Sequence, residues 1–195
     1  MKVRKKAEYR SSIRSKKLIR AAFLELINEK PLEKITVTDI VNRADINRRT
    51  FYAHFQDVRA LVESIEDETI DKLREVLIET HNDNFFIDPL SQLLKVAEFL
   101  ESNINFYRII INSNGAEPFL TKLKSVFTTF MQYDENVPDI IKNTTEFVIM
   151  QNFIAGGITN ILQMWFRGDT KQSLEELVTA VANLMKASVL PVLSV

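Results

Sequence analysis

The chain of 195 residues contains no cysteine, which excludes disulfides and any sensing chemistry based on a thiol. Only two histidines occur. His54 and His81 have neither a nearby cysteine nor a carboxylate cluster, so no metal and no cofactor is expected. Glycine is scarce, at four residues, and no glycine loop is present to cradle a phosphate. Nor does a nucleophile stand with a base and an orienting group, so the chain is not expected to be an enzyme. No stretch approaches about 18 uninterrupted apolar residues, and the basic N-terminus is not followed by an apolar run of signal-peptide type. The expectation is a cytoplasmic protein without a membrane span.

What is present is abundant apolar material and an uneven charge. Hydrophobic residues make up 46% of the chain, enough to bury a substantial core. The net charge of -1 conceals a division: residues 1–60 hold fifteen Lys or Arg against seven Asp or Glu, and residues 61–195 hold ten against nineteen. Such a split draws a polyanion to the N-terminal part and repels it from the remainder.

Every credible element is a helix. Residues 1–11 are basic and without apolar periodicity, and read as a flexible basic arm. From Ser12 the spacing of Ile19, Ala22, Phe23, Leu26 and Ile27 marks one face of a helix that Pro31 stops. Thr36 and Asp39 have capping-box spacing before Val37, Ile40 and Val41, which predicts a second, short helix. A turn at 43–47 follows, and Asn47 is a good cap for a third helix packed through Phe51 and Phe55. The run from Asp57 to about Thr80 reads as one long amphipathic helix. Beyond a polar break at 81–84, helices are expected from Pro89 to Glu101, from Asn105 to Asn112 with Gly115 ending it, and from about Pro118 to Gln132. A stretch of about thirty residues from Pro138 to Arg167 reads as helical, with a possible bend at Gly156-Gly157. A last helix begins at Ser173. The division is 1–11, 12–56 and 57–195.

Two short helices joined by a tight turn are the arrangement with which a third helix enters a DNA major groove. Arg48 and Arg49 stand at its exposed start and suit guanine edges, since an arginine fork matches O6 and N7 together. Thr50 can contact a base or a phosphate. Tyr52 and His54 suit the phosphate side, with a capping or surface role equally open for His54. Lys5 and Lys6 can reach backbone or minor groove, or remain solvated. Thr36 and Thr38 stand at the start of the second helix, where a phosphate can sit, although capping alone accounts for Thr36.

The segment Leu18 to Leu61 resembles the DNA-binding domain of the TetR family of one-component bacterial transcriptional regulators. The resemblance rests on Ile35-Thr36-Val37-Thr38-Asp39-Ile40, on Ala44-Asp45-Ile46, and above all on Thr50-Phe51-Tyr52-Ala53-His54-Phe55 followed at once by a long helix. It implies an all-α protein: an N-terminal three-helix, helix-turn-helix domain joined by a long helix to a C-terminal helical bundle for ligand binding and dimerisation. Three positions depart from the family. Asp45 replaces a usual glycine, Arg49 replaces a small residue, and Val58 replaces a frequent phosphate-binding lysine, with Arg59 next to it as a replacement.

Ten of the thirteen phenylalanines and the single tryptophan lie from Phe85 onward. Phe99, Phe106, Tyr107, Phe127, Phe130, Phe147 and Trp165, with Gln151 as a polar group, are candidates for the wall of an effector cavity or simply for the core. The resemblance implies dimerisation through the last two long helices, carried here to Phe153, Ile154, Gly157, Ile161, Leu177, Val181 and Leu184. Asn105-Phe106-Tyr107-Arg108 through Ser113-Asn114-Gly115, with Phe153 to Gly157 and Trp165, also resembles family members akin to activators of dihydroxyacetone kinase operons. The function expected is a homodimeric regulator of double-stranded palindromic operator DNA, a repressor released by a small-molecule effector. The alternative is a helical protein-binding adaptor whose DNA module has degenerated, as Asp45 and Val58 suggest.

Overall fold

The computed structural model describes residues 2–79, 85–86, 88–113 and 116–193, with side chains described from residue 11 to residue 187. Among them every regular element is helical: α1 (Lys2–Leu26), α2 (Val37–Arg43), α3 (Arg48–Tyr52), α4 (Val58–Glu79), α5 (Pro89–Glu101), α6 (Ile104–Asn112), α7 (Ala116–Gln132), α8 (Asp139–Lys142), α9 (Thr145–Arg167) and α10 (Leu174–Leu193). A short 3-10 turn, Leu32–Lys34, follows Pro31. The chain divides into two compact units, 1–68 and 69–195. The boundary falls within α4, whereas the sequence reading set it at the start of that helix.

In the first unit α1 packs on α2 and α3, and α2 packs on α3. The apolar stripe expected of α1 is the buried one: Ile19, Ala22, Phe23, Leu26 and Ile27 face inward with Ile40, Phe51, Phe55, Leu61 and Ile65. One correction concerns the start of α1. The segment read as a flexible arm is continuous helix from Lys2, because nothing between residues 2 and 12 breaks a helix: no proline and no glycine stands there. The side chains of Lys5 and Lys6 lie outside the described residues.

In the second unit α10 lies against α5 and α9, while α7 and α6 cover other parts of α9. The expected helix from Pro138 to Arg167 is interrupted. Thr144 caps α9 by accepting a hydrogen bond from Phe147 N at 3.2 Å and donates to Ile141 O at 2.7 Å, which closes α8 after one turn. No break occurs at Gly156 or Gly157. α9 ends where Gly168 takes φ 78, the left-handed conformation that a residue without Cβ adopts at least cost. By length and composition α9 is the one helix among the described residues that is long and apolar enough to cross a membrane. Its inward side, Phe147, Met150, Ile154, Ala155, Ile158, Leu162 and Phe166, is buried in the bundle, as in a core helix. His81 and Gly115 fall outside the described residues.

Candidate nucleic-acid interface

The turn between α2 and α3 depends on backbone geometry at one residue. Asp45 has φ 50, so it occupies the left-handed region that its sequence position demands. Asp is among the few residues able to visit that region at modest cost, because its short polar side chain bonds locally. The tight turn therefore survives without glycine. After it, Asn47 Oδ1 accepts from Thr50 N at 2.8 Å and from Thr50 Oγ1 at 3.0 Å, fixing where α3 begins. Phe51, fully buried, then holds α3 on the core.

α2 starts with a reciprocal cap. Thr36 N and Thr36 Oγ1 donate to Asp39 Oδ2 at 2.8 and 2.6 Å, and Asp39 N donates to Thr36 Oγ1 at 3.2 Å. Lys30 closes on the same carboxylate at 2.7 Å. Hydrogen bonding by Lys30, followed by that from Thr36, holds the Asp39 carboxyl far below its usual value. At the other end of α2, Arg43 grips Glu29 with both terminal nitrogens at 2.8 Å and reaches Glu25 at 3.2 Å. The Arg43 bond lowers the Glu29 pKa, and the two carboxylates raise that of Arg43. These ties set α2 on α1. They went unread in the sequence, although Glu25 and Glu29 are one turn apart on a helix face.

The candidate DNA contacts separate into three groups. Thr36, Asn47 and Thr50 spend their side chains on caps. His54 and Arg59 are also engaged inside the subunit: His54 Nε2 is 2.7 Å from Ser15 Oγ on α1, and Arg59 Nε donates to Glu63 at 3.0 Å. The last group is presented outward. Thr38, Arg48, Arg49 and Tyr52 are exposed, Tyr52 at 55% with its ring perpendicular to that of Phe51. Within this group Arg48 Nη2 donates to Thr38 Oγ1 at 2.7 Å.

The second unit rearranges the other candidates. Phe106, Tyr107, Phe127 and Phe147 are buried, and Phe106, Tyr107 and Phe147 pack on other rings. Tyr107 stacks on Phe119 at 6.4 Å, and Phe147 meets Phe86 at 6.1 Å. They form core rather than an open wall, because large rings at helical spacing fill one another's gaps. Phe99 and Trp165 are half-buried. Gln151 is buried too, and its Oε1 has no hydrogen-bond partner among the described residues. Of the candidates only Phe130 lines a pocket of about 190 Å³, whose other walls are Arg74, Leu77, Ile78, Val126, Thr129 and Tyr133 of α4, α7 and the residue after α7.

On the last two long helices, Phe153 and Leu184 are 78% and 66% exposed, and Gly157 is exposed. Ile154 is buried in its own subunit. Ile161 and Val181 border a small apolar gap among α5, α9 and α10, and Leu177 is half-buried. Val148 and Ile149 are exposed as well. Sequence reasoning missed them because they sit in an apolar run, Phe147-Val148-Ile149-Met150, that gives no hint of which side faces out.

Comparison with known proteins decides what this architecture is. Residues 18–65 match the profile described as "Bacterial regulatory proteins, tetR family", and residues 88–187 match its "Transcriptional regulator C-terminal region". The chain belongs to the TetR family. It is a one-component transcriptional regulator with a DNA-binding helix-turn-helix. The HTH-type dhaKLM operon transcriptional activator DhaS of Lactococcus lactis subsp. lactis (strain IL1403) is 27% identical over 184 residues, covering 92% of this chain and 93% of its own. The solved structure of the dihydroxyacetone kinase operon activator DhaS superposes with a TM-score of 0.65 at 25% identity, covering 91% of this chain and 97% of that one. A TetR-family regulator from Syntrophomonas wolfei str. Goettingen shares the fold, with a TM-score of 0.71 at 18% identity over 89% of this chain and 93% of its own.

Proposed function

We propose that this regulator binds a palindromic operator as a homodimer, reading bases with Arg48 and Arg49 and holding phosphate with Tyr52. The observation that carries the reading is the exposed pair of guanidinium groups at the head of α3, on a helix whose start is fixed by the Asn47 cap and whose underside is fixed by buried Phe51. A basic helix end held in this way presents donors to the major groove, and two copies related by symmetry read two half-sites about one helical turn or a multiple apart. Asp45 keeps the turn, so the departure that favoured a degenerate module leaves the reading head formed. Exposed Ile149, Phe153 and Leu184 supply the apolar face for a second copy. At Gly156 and Gly157 an added Cβ would meet nothing within 4 Å, which leaves room for a twin helix.

An effector in the larger unit shifts the dimer between spacings that fit and do not fit both half-sites, through unequal affinity for the two states. The pocket at Arg74, Thr129 and Phe130 supports this reading, because α4 forms part of its wall and continues into the DNA-binding unit. Release of a repressor is the first form of this regulation. Similarity to proteins named as operon activators favours a second form, in which the bound state raises transcription.

Selection from a randomised duplex pool tests the reading. Wild-type protein enriches a palindrome, its affinity falls steeply with salt, and Arg49→Ala loses roughly 1–3 kcal/mol of discrimination at one position of each half-site. A strictly monomeric protein, or a pool that enriches nothing, defeats it. Transcription from the selected site, run with and without protein, separates repression from activation.

A further inference from the structure

The two arginines at the head of α3 are not equivalent, and the difference lies in what touches them. Arg48 is bonded to Thr38 across the α2–α3 turn, Nη2 to Oγ1 at 2.7 Å. For the Arg49 side chain no hydrogen bond or ion pair is found among the described residues. The other guanidinium groups of this unit with an assigned partner, Arg20, Arg43 and Arg59, close on carboxylates of Glu68, Glu29 and Glu63. A carboxylate cancels the charge it orients and adds a negative group that repels phosphate. A hydroxyl orients without cancelling.

We infer that Thr38 is the positioning residue of Arg48: it fixes the plane of the guanidinium by accepting one of its five N–H bonds, and leaves both the charge and the other donors for DNA. The inference rests on the operator reading above and assigns to Thr38 an action through Arg48 rather than a contact of its own. The local chemistry allows it. Thr36 and Asp39 already cap α2, so the Thr38 hydroxyl is not needed there, and a hydroxyl oxygen offers two acceptor lone pairs. Holding a long side chain in place before binding removes an ordering cost equivalent to roughly 3- to 10-fold in affinity for a side chain rich in rotamers. Arg48 is therefore the rigid reader of the pair and Arg49 the adaptable one.

The first measurement needs no DNA. In the free protein, nitrogen-15 NMR of the guanidinium groups shows slower rotation for Arg48 than for Arg49, and Thr38→Val, which keeps shape and branching but removes the hydroxyl, abolishes the difference. The second uses the duplex pool. Thr38→Val lowers affinity for the selected site roughly 3- to 10-fold and flattens preference at the position read by Arg48, Thr38→Ser restores both, and Thr38→Val adds nothing in an Arg48→Ala background. Equal rotation of the two groups in wild type would overturn the inference. So would losses from Thr38→Val and Arg48→Ala that simply add, with a shallower salt slope, for then Thr38 holds a phosphate itself. If wild-type protein selects a palindrome and Arg48→Ala leaves its base preferences untouched, the positioning role and base reading by Arg48 both fail while binding to a palindromic operator stands. If wild type selects nothing, both fall.

Discussion

Between Glu25 and Asn47 the helices of the first unit are set by polar contacts at their ends: the Arg43 clamp on Glu29, the Thr36 and Asp39 cap with Lys30 on it, and the Asn47 cap. The second unit relies on side-chain bulk. Phe85, Phe86, Phe119, Phe127, Phe147 and Phe166 are almost wholly buried, and ring contacts run from Phe85 and Phe130 at one place to Tyr107 and Phe166 at another. Polar contacts specify direction and apolar burial does not. A reading head needs its few outward side chains aimed within a narrow range, whereas a bundle held by ring packing needs filled volume first.

The largest expected effect breaks the bundle side of that contrast. Phe127 has no exposed surface, and Phe127→Ala leaves a cavity among α7 and its neighbours that costs about 3–5 kcal/mol. Trp165, the only tryptophan, sits against Phe166 at 4.9 Å, so its fluorescence reports unfolding of this unit. The unfolding free energy obtained from denaturation read at Trp165 falls by that amount, with a lower midpoint. A shift of only a few tenths of a kcal/mol would mean that rings do not dominate there.

A smaller effect is expected at the reading head. Asn47→Ala removes the acceptor of Thr50 N and costs about 1 kcal/mol of stability, whereas Asn47→Asp retains the cap. The loss in operator affinity should exceed what the stability change explains, since α3 frays at the end that carries Arg48 and Arg49. Hydrogen exchange at Thr50 and Phe51 measures the fraying directly. Unchanged protection in Asn47→Ala would show that packing of Phe51 alone holds the helix.

The same contrast explains what could be read from residues alone. Thr36 with Asp39, Asn47, Pro31 and Asp45 are short-range signals, and each stands where its chemistry requires, including a φ of 50 at Asp45. The long helices were equally legible, since Leu61, Ile65, Ile70, Leu73 and Leu77 recur at helical spacing and are buried. The limits lie where local pattern carries no direction. α9 carries apolar residues on its outward as well as its inward side, so neither the Thr144 break nor the outward turn of Val148, Ile149 and Phe153 could be told from spacing. Ile154, one residue from Phe153, points into the core. The bonds of Thr38 to Arg48 and of Ser15 to His54 join different helices, and no sequence interval announces them.

The smallest effect concerns pH and falls on the first unit. Arg43 lowers the Glu29 carboxyl, and Lys30 with Thr36 lowers that of Asp39, from ordinary values of 4.5 and 3.8. A carboxyl whose folded value lies below its unfolded one binds fewer protons when folded, so it stabilises at neutral pH and loses that contribution as the medium becomes acid enough to protonate it in the fold. Glu29 is exposed and Asp39 half-buried near the surface, and both are screened by salt, so the contribution is modest. Wild type and a Glu29→Gln, Asp39→Asn variant should therefore show a constant difference in denaturant midpoint from neutrality down to about pH 5. The difference shrinks below the ordinary value of 4.5 as the wild-type carboxylates accept protons, Glu29 and Asp39 each within its own range. Asn at 39 still offers an oxygen to Thr36 N, which confines the change to charge. A difference that persists undiminished in acid would assign the stabilisation of α2 to its neutral hydrogen bonds, and the polar unit would then owe its alignment to geometry rather than to ion pairs.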